Sequence, residues 1–306
     1  MISRSPVVGL ALGSGSARGW AHIGVIQELE RLGIQPQVVA GTSIGAMVGA
    51  VYVSGQLEEF SEWVQELTMR DVFGLLDITM SGGVVKGEKL FGFFREKHRN
   101  PDIETLEKKF VTIATEMKSG REVWIRSGPI LRAARASCAL PGLVSPVKVD
   151  DRWMLDGGLV NPVPVSACRA LGAEVVIAVN LNAQLVGAHM PRHSQASVAE
   201  AEGSASSEER SLLQKVTSYF ISDDADADPG LLDVVSASIN IMQDRITRSR
   251  MAGDPAEISL LPQLEDFALM DFHRAREAIE EGRALVQRRK EEILSWVGQP
   301  AEPMQV

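Results

Sequence analysis

A serine between two glycines is the first candidate for chemistry in this sequence. Gly41, Ser43 and Gly45 have the G-x-S-x-G spacing of a nucleophile elbow, a tight turn that exposes a serine hydroxyl between a strand and a helix. The apolar residues 38–40 predict the strand, and the small residues that follow predict the helix. The N-terminus of that helix would direct partial positive charge at Ser43, as an attacking alkoxide requires. An ordinary β-α turn has the same pattern, so the pentapeptide alone leaves both interpretations open.

A second turn, residues 13–19, is rich in glycine and serine and also lies between an apolar run and a helical pattern. Backbone N–H groups at such a helix start can stabilise the oxyanion of an acyl transfer. Nucleotide binding is the rival interpretation. A dinucleotide-binding fold, however, needs an acidic residue at the end of the next strand, and a P-loop needs Gly-Lys-Ser/Thr; the sequence has neither. Oxyanion stabilisation is therefore favoured.

Asp156 is the candidate general base. It follows an apolar run and precedes Gly157 and Gly158, a setting in which burial could raise its basicity and a turn could direct it at Ser43. A simple Asp-Gly turn would look the same. The five histidines are poorly placed for this role. His22 lies in the first predicted helix, His98 in a Phe-rich insertion at 57–100, His189 and His193 in a predicted linker at 183–230, and His273 at the start of a charged segment at 271–296.

The elements that must position these groups alternate between strand and helix over the first 180 residues. Strands are predicted at 7–12, 38–40, 111–114, 123–125 and 175–179. Such alternation predicts an α/β sheet with helices on both faces. Downstream, an amphipathic stripe from Leu231 to Ile246 and a charged segment at 271–296 each predict a helix that docks on this body.

The predicted domain organisation has three parts. The first is a catalytic domain at residues 1–182, with a Phe-rich helical insertion at 57–100. The aromatic residues of this insertion could pack on the core as helices, line an acyl-chain pocket or form a lipid-facing lid. Residues 183–230 are rich in Ala, Ser and Glu and predict a flexible acidic linker. Residues 231–306 form a C-terminal helical extension.

Charge and cysteine content limit the partners and the compartment. The formal net charge of −9 argues against a nucleic-acid binder, which would need a basic face. Residues 1–180 carry 19 basic and 19 acidic side chains, so the excess lies entirely in the C-terminal part. Cys138 and Cys168 predict free thiols in the cytoplasm. The uncharged stretch 32–57 is interrupted by Gly33 and Pro36 and predicts no membrane span.

Taken together, the motifs resemble those of patatin-like phospholipases, and most of all a small bacterial RssA-type branch related to neuropathy target esterase. Over residues 7–180 four motifs follow that family's order and spacing: Gly13-Ser14-Gly15-Ser16-Ala17-Arg18-Gly19, Gly41-Thr42-Ser43-Ile44-Gly45, residues 135–142, and Asp156-Gly157-Gly158.

The resemblance implies a three-layer α/β/α sandwich with a central, mostly parallel sheet, plus C-terminal helices. It implies a Ser-Asp dyad in which Ser43 is the nucleophile and Asp156 the proton acceptor, with glycine-loop amides, best those of Gly15 and Ser16, as oxyanion donors. The implied substrates are fatty-acyl esters of phospholipids or lysophospholipids, and neither a metal nor a cofactor is required. Arg18 is expected to anchor the loop or to bind a lipid phosphate.

One departure from the family pattern bears on activity. The first motif of the family is usually G-x-G-x-x-G, and its first two glycines are Ser14 and Ser16 here. Backbone donors survive that change, but serine resists a positive φ. A regulatory or scaffold protein with a vestigial hydrolase site is therefore the alternative. We also expect peripheral contact with the inner face of the membrane, and a protein partner or a second copy bound through the C-terminal part.

Overall fold

The computed structural model describes residues 5–75, 99–141, 143–183 and 231–298. Eight strands form one sheet in the order β5-β6-β3-β2-β1-β7-β8, and β4 pairs with β3 off this path. The strands are β1 (Val8–Leu12), β2 (Val38–Thr42), β3 (Lys109–Glu116), β4 (Glu122–Ile125), β5 (Val147–Val149), β6 (Arg152–Asp156), β7 (Val175–Val179) and β8 (Ile258–Leu260).

The centre of the sheet is parallel. β1 pairs in parallel with β2 and β7, β2 with β3, and β7 with β8, whereas β4, β5 and β6 are antiparallel to their neighbours. Every residue of β1, β2 and β7 is buried, as expected for strands covered on both faces. The strands predicted at 7–12, 38–40 and 175–179 correspond to these three buried strands, each within two residues at either end.

Helices cover both faces of the sheet. They are α1 (Ala21–Arg31), α2 (Ile44–Val53), α3 (Leu57–Gln65), α4 (Met69–Leu75), α5 (Ile130–Ser137), α6 (Val165–Ala170), α7 (Leu231–Gly253), α8 (Ala275–Arg288) and α9 (Lys290–Val297). One apolar core joins the sheet to α1, α2, α5, α8 and α9. A second core joins it to α6 and to Met251 near the end of α7. The predicted three-layer α/β/α fold with C-terminal helices is confirmed.

The C-terminal segment also contributes a strand to the sheet. β8 extends the sheet beyond β7, with Ile177 opposite Ile258. Arg169 on α6 fixes the entry to this strand, because its guanidinium donates to Asp254 at 2.7 Å and to Glu257 at 2.8 Å. The sequence predicts only helices after residue 231, so the strand is an addition to that picture.

A close helix pair attaches the rest of the segment. A Cβ at Gly24 on α1 would lie 1.9 Å from the carbonyl oxygen of Ile279 on α8, and one at Gly282 would lie 2.1 Å from that of Ala21. Only glycine permits this approach. The single helix expected at 271–296 is wrong in detail, since α8 and α9 are separated by a break at Arg289, where φ is −106° and ψ is 10°.

The first part of the Phe-rich insertion packs on the core. Phe60 on α3 is fully buried, and its ring lies edge-on to Trp20 with ring centroids 5.6 Å apart. Trp63 packs against the same core. Residues 76–98 of the insertion, residues 184–230 of the predicted linker, and Gly142 lie outside the described residues, so a lid, a pocket or a flexible linker there stays a prediction.

Across the described ranges, no helix combines the length and the apolar character that crossing a bilayer would require.

Candidate active site

Ser43 lies at the tight turn between β2 and α2. Its φ is 56°, in the left-handed region that residues other than glycine rarely adopt. The flanking glycines serve close packing instead. A Cβ at Gly41 would lie 2.5 Å from Cα of Ala46, and a Cβ at Gly45 would lie 2.2 Å from the carbonyl oxygen of Leu12. The strain is thus concentrated at the serine, as in a nucleophile elbow.

Strand β3 brings Asp156 beside Ser43. In the parallel pair of β2 and β3, Thr42 lies opposite Ile113, and in the antiparallel pair of β3 and β6, Ala114 lies opposite Asp156. The Ser43 hydroxyl donates a 2.6 Å hydrogen bond to Asp156 Oδ2. The two residues that the sequence selects for chemistry are therefore in direct contact, although they are 113 positions apart.

The Asp156 carboxyl group is fully buried. Burial raises its pKa from 3.8 to about 6, against the opposing effect of hydrogen bonds from Ser43 and from the Gly158 amide. That amide donates to Oδ1 at 2.7 Å. Gly157 is required because a Cβ there would lie 2.2 Å from the carbonyl oxygen of Ile113. The Gly158 amide and the Ser43 hydroxyl thus each hold one carboxylate oxygen, and burial shifts the pKa of the group toward neutral pH.

Ser137 and Cys138, at the end of α5, fix the backbone of Ser43. Ser137 Oγ accepts from the Ser43 amide at 2.8 Å and donates to the Ile113 carbonyl. Cys138 Sγ donates to the Ser43 carbonyl at 3.0 Å. Burial, and then the charge of Asp156, raises the pKa of the Cys138 thiol, so this group stays protonated. The sequence motif at 135–142 marks this segment but does not reveal these contacts.

The glycine loop lies against the elbow. A Cβ at Gly19 would lie 2.2 Å from the side chain of Ile44, and a Cβ at Gly45 would lie 2.8 Å from the Gly13 carbonyl oxygen. Because the glycines of each motif pack on the other, the glycine loop and the turn at Ser43 keep fixed positions relative to each other.

Counting the amides of this loop identifies its candidate oxyanion donors. The amide of Gly13 donates to Val179, that of Ser14 to Pro162 and that of Ala17 to Leu269. Within the described part of the chain, the amides at positions 15 and 16 have no hydrogen-bond acceptor. These two amides lie at the start of a 3-10 turn, Ser16–Trp20, which leads into α1. Unpaired amides at a helix start are the groups that an oxyanion needs.

Both serines that replace the usual glycines form hydrogen bonds to the C-terminal segment. Ser16 adopts a φ of 52° despite the expected resistance of serine, and its hydroxyl donates to the Leu269 carbonyl at 2.6 Å. The Ser14 hydroxyl donates to Gln243 Oε1 on α7 at 2.8 Å. The loop therefore keeps a conformation with unpaired amides at positions 15 and 16 by means of contacts with Gln243 and Leu269 of the C-terminal segment.

Arg18 anchors the same loop. Its buried guanidinium donates to the Phe267 carbonyl and to Asn182 Oδ1, each at 3.2 Å. Burial lowers its pKa to about 10, partly offset by Asp271, so the side chain stays cationic at neutral pH. Of the two expectations for Arg18, the contacts match loop anchoring rather than binding of a lipid phosphate.

His22 also supports the loop from α1. Its Nε2 forms a 2.8 Å hydrogen bond with the Gly13 carbonyl, so this nitrogen carries the proton. Burial lowers the pKa of the imidazole to about 4, and the ring is neutral.

No group of three or more His, Cys, Asp or Glu side chains that could hold a metal ion comes together in residues 5–75, 99–141, 143–183 and 231–298.

Comparison with known sequences decides the family. The profile of the family described as patatin-like phospholipase matches residues 10–169. The chain belongs to the patatin-like phospholipases. An uncharacterised NTE family protein of Mycobacterium tuberculosis is 34% identical over 92% of this chain and 91% of its own length.

Longer relatives match a smaller share of this chain. Lysophospholipase NTE1 of Coccidioides immitis is 35% identical over 58% of this chain and 12% of its own length. Human patatin-like phospholipase domain-containing protein 6 is 31% identical over 58% and 13% of the respective chains. Among solved structures, VipD from Legionella pneumophila is similar over 96% of this chain and 76% of its own, with 12% identity and a TM-score of 0.38.

The matched patatin-like phospholipase region contains the glycine loop, Ser43 and Asp156. The residues that hold the loop through Ser14, Ser16 and Arg18 lie outside it, at positions 182, 243, 267 and 269. The candidate site is thus completed by residues that lie outside the matched family region.

Proposed function

We propose that this protein is a serine esterase that hydrolyses fatty-acyl esters of phospholipids or lysophospholipids through Ser43 and Asp156. The observation that carries the proposal is the 2.6 Å hydrogen bond between Ser43 Oγ and Asp156 Oδ2 in a chain of the patatin-like phospholipase family. A relative named as a lysophospholipase supports the substrate class.

In the proposed reaction, Ser43 Oγ attacks the acyl carbonyl carbon while its proton passes to Asp156 Oδ2. The amides of Gly15 and Ser16 hold the resulting oxyanion. The tetrahedral intermediate collapses, the bond to the leaving alcohol oxygen breaks, and that oxygen takes the proton from Asp156. Water then attacks the acyl-enzyme with Asp156 as the base, which releases the fatty acid and restores the Ser43 hydroxyl.

The environment of Ser43 and Asp156 favours these reaction steps in two ways. A carboxylate whose pKa is about 6 is a better proton acceptor than an exposed one, yet remains ionised at neutral pH. An alcohol is still a far weaker acid, so stabilisation of charge must provide most of the acceleration. The N-terminus of α2 directs partial positive charge at Ser43 Oγ, and the loop amides face the developing oxyanion.

We place the enzyme in the cytoplasm, in transient contact with the inner face of the membrane. The two cysteines are free thiols, and burial raises the pKa of Cys168 to about 12. A catalytic region of balanced charge can approach anionic lipid without net repulsion. The acidic C-terminal part would serve solubility, a protein partner or a second copy of the chain, and no nucleic acid is expected to bind.

A fluorophosphonate probe tests the nucleophile directly. The wild-type protein should be labelled with one probe per chain, Ser43→Ala should not be labelled, and Ser54→Ala, at the other end of α2, should be labelled like the wild type. Labelling of Ser43→Ala to the wild-type extent would contradict the assignment.

A panel of lipids then tests the substrate class. Wild-type protein should release fatty acid from phospholipids or lysophospholipids, and Ser43→Ala and Asp156→Asn should not. A folded wild-type protein that neither reacts with the probe nor cleaves lysophospholipid or short acyl esters, yet binds a protein partner, would favour the regulatory or scaffold alternative.

A further inference from the structure

Gln243 on α7 contacts both halves of the proposed catalytic machinery. It is 5% exposed, and it lies outside the family match, which ends at residue 169. One end of its side chain meets Ser14 of the glycine loop, and the other packs on Gly158 of the turn that carries Asp156.

The orientation of the Gln243 amide follows from a chain of hydrogen bonds that begins at Arg18. A guanidinium can only donate, so the oxygen of the Asn182 amide must face Arg18 Nη2. Asn182 Nδ2 therefore faces the other way and donates to Gln243 at 2.7 Å, which fixes Oε1 as the acceptor. The Ser14 hydroxyl donates to the same oxygen.

With Oε1 held at the loop, the NH₂ group of Gln243 must face the Asp156 turn. Gln243 Nε2 lies 2.3 Å from the position that a Cβ of Gly158 would occupy, and Asp156 Oδ1 lies 3.0 Å from the same position. The amide nitrogen and the carboxylate oxygen thus lie against one side of Gly158. Only glycine leaves room for this arrangement.

We propose that Gln243 is a positioning residue of the hydrolase. Its carbonyl end fixes the Ser14 side of the oxyanion loop, and its NH₂ end fixes the Gly158 turn and faces the Asp156 carboxylate. Through one side chain, α7 therefore sets the spacing between the oxyanion donors and the base. The catalytic part of this inference rests on the proposed function, whereas the effect on Asp156 does not.

The surroundings of Asp156 make this effect measurable. From the neighbouring elements, the Ser43 hydroxyl and the Cys138 thiol face the carboxyl group, and the charge of Arg135 on α5 acts on the same thiol. The positive end of the Gln243 amide dipole favours the ionised carboxylate. Its removal should therefore raise the pKa of Asp156 above its value of about 6.

Two substitutions separate the roles of the two ends. Gln243→Met keeps the length of the side chain and removes both polar ends, and Gln243→Glu keeps an oxygen for Ser14 and Asn182 while it removes the NH₂ group. Arg245→Ala, on the exposed side of the same helix, is the matched control. Circular dichroism and thermal unfolding establish that each variant is folded, and Gln243→Leu, which also lacks both polar ends and adds no charge, replaces Gln243→Met if the latter is not.

The first readout is a titration followed by ¹³C NMR of protein labelled at aspartate Cγ, with Asp156→Asn to assign the resonance. Gln243→Met should raise the pKa of Asp156 by about 0.5 to 1 unit, Gln243→Glu should raise it further because its own carboxyl group lies near Asp156, and Arg245→Ala should leave it unchanged. The second readout is hydrolysis of a short acyl ester. In Gln243→Met, kcat should fall about 10-fold or more while KM changes by less than about 3-fold.

The outcomes are distinct. An Asp156 pKa that stays at the wild-type value in the folded Gln243 variants overturns the inference, whatever the activity. An upward shift in protein that has no esterase turnover supports the placement of Gln243 and contradicts the proposed function instead. A fall in kcat with an unchanged Asp156 titration would reduce Gln243 to a structural residue and also overturn the proposal.

Discussion

Replacing Asp156 by asparagine should stabilise the protein above pH 6 while it abolishes ester hydrolysis. Asparagine has the same shape, its oxygen can accept from the Gly158 amide as Asp156 Oδ1 does, and its NH₂ group can donate to Ser43 Oγ. The change therefore removes the buried charge without leaving a buried polar atom unpaired.

The magnitude follows from the pKa of the buried group. Its value is 3.8 without the protein environment and about 6 in the folded state, so the folded protein binds the proton more tightly than the unfolded chain. A group shifted in this direction stabilises the fold below pH 4 relative to higher pH, and this stability is lost as pH rises through 6. A shift of about 2 units corresponds to a loss of about 3 kcal/mol in the free energy of unfolding of the wild-type protein above pH 7.

Urea unfolding of wild type and Asp156→Asn at pH 4, 5, 6 and 8 provides the test. Relative to wild type, the free energy of unfolding of Asp156→Asn should be little higher at pH 4 and about 3 kcal/mol higher at pH 8. Most of this difference should be present by pH 6. Ser43→Ala, which leaves the carboxylate in place, should not show this rising difference. An Asp156→Asn variant that is no more stable than wild type at pH 8, or whose advantage is the same at every pH, would refute the reasoning.

Three further predictions use simpler measurements. The kcat/KM of a short acyl ester should rise through an acid limb near pH 6, because the Asp156 carboxyl must be ionised to accept a proton; a flat profile down to pH 4.5 would contradict its role as the base. Ser16→Gly relieves a left-handed φ but loses the bond to Leu269, two effects of about 1 kcal/mol each, so its free energy of unfolding should change little. Ser16→Ala keeps the strain and should lose about 1 kcal/mol by urea titration, and equal losses in both variants would count against this account. Gly24→Ala should cost about 3 kcal/mol or more because its Cβ would lie 1.9 Å from a backbone oxygen, whereas Gly74→Ala, with no described atom within 4 Å, should be neutral or slightly stabilising; similar effects would disprove the close helix contact.

The sequence predicts the parallel centre of the fold well because its strands are buried on both faces. A short continuous apolar run rich in β-branched residues, such as Val175–Val179, favours a buried strand, and its predicted bounds match the structure. The elbow is predicted for a similar reason, since Gly41 and Gly45 are needed for backbone packing around Ser43 and therefore mark it in the sequence.

The antiparallel edge escapes prediction because its signals are weak. β5 and β6 are short and carry exposed charged residues, and they are joined through Asp150 and Asp151, which have φ values of 47° and 60°. A hairpin of this kind usually has glycine or asparagine at such positions. β8 has three residues and is defined by its pairing with β7. Residues 76–98 and 184–230 leave the predicted lid and linker as predictions.

The contacts of Gln243 could not be predicted for a different reason. Glutamine on an amphipathic helix is normally exposed, and no spacing rule relates position 243 to position 14 or 158. These contacts depend on how α7 packs on the rest of the protein, which is a property of the whole fold. Sequence motifs thus locate the reacting groups, and tertiary structure alone reveals what holds them.

The anchoring of the glycine loop has a consequence for the order of folding. Trp20, at the end of this loop, donates to the Phe272 carbonyl across 252 positions, and Ser16 and Arg18 make comparably distant bonds. Contacts of such long range form late, and the ribosome delivers the N-terminal half of the sheet well before residue 272. We therefore expect this loop, which is synthesised about 250 residues before its anchors, to be among the last parts to acquire its final conformation, so a nascent chain would have Ser43 in place before the amides of Gly15 and Ser16 are fixed beside it.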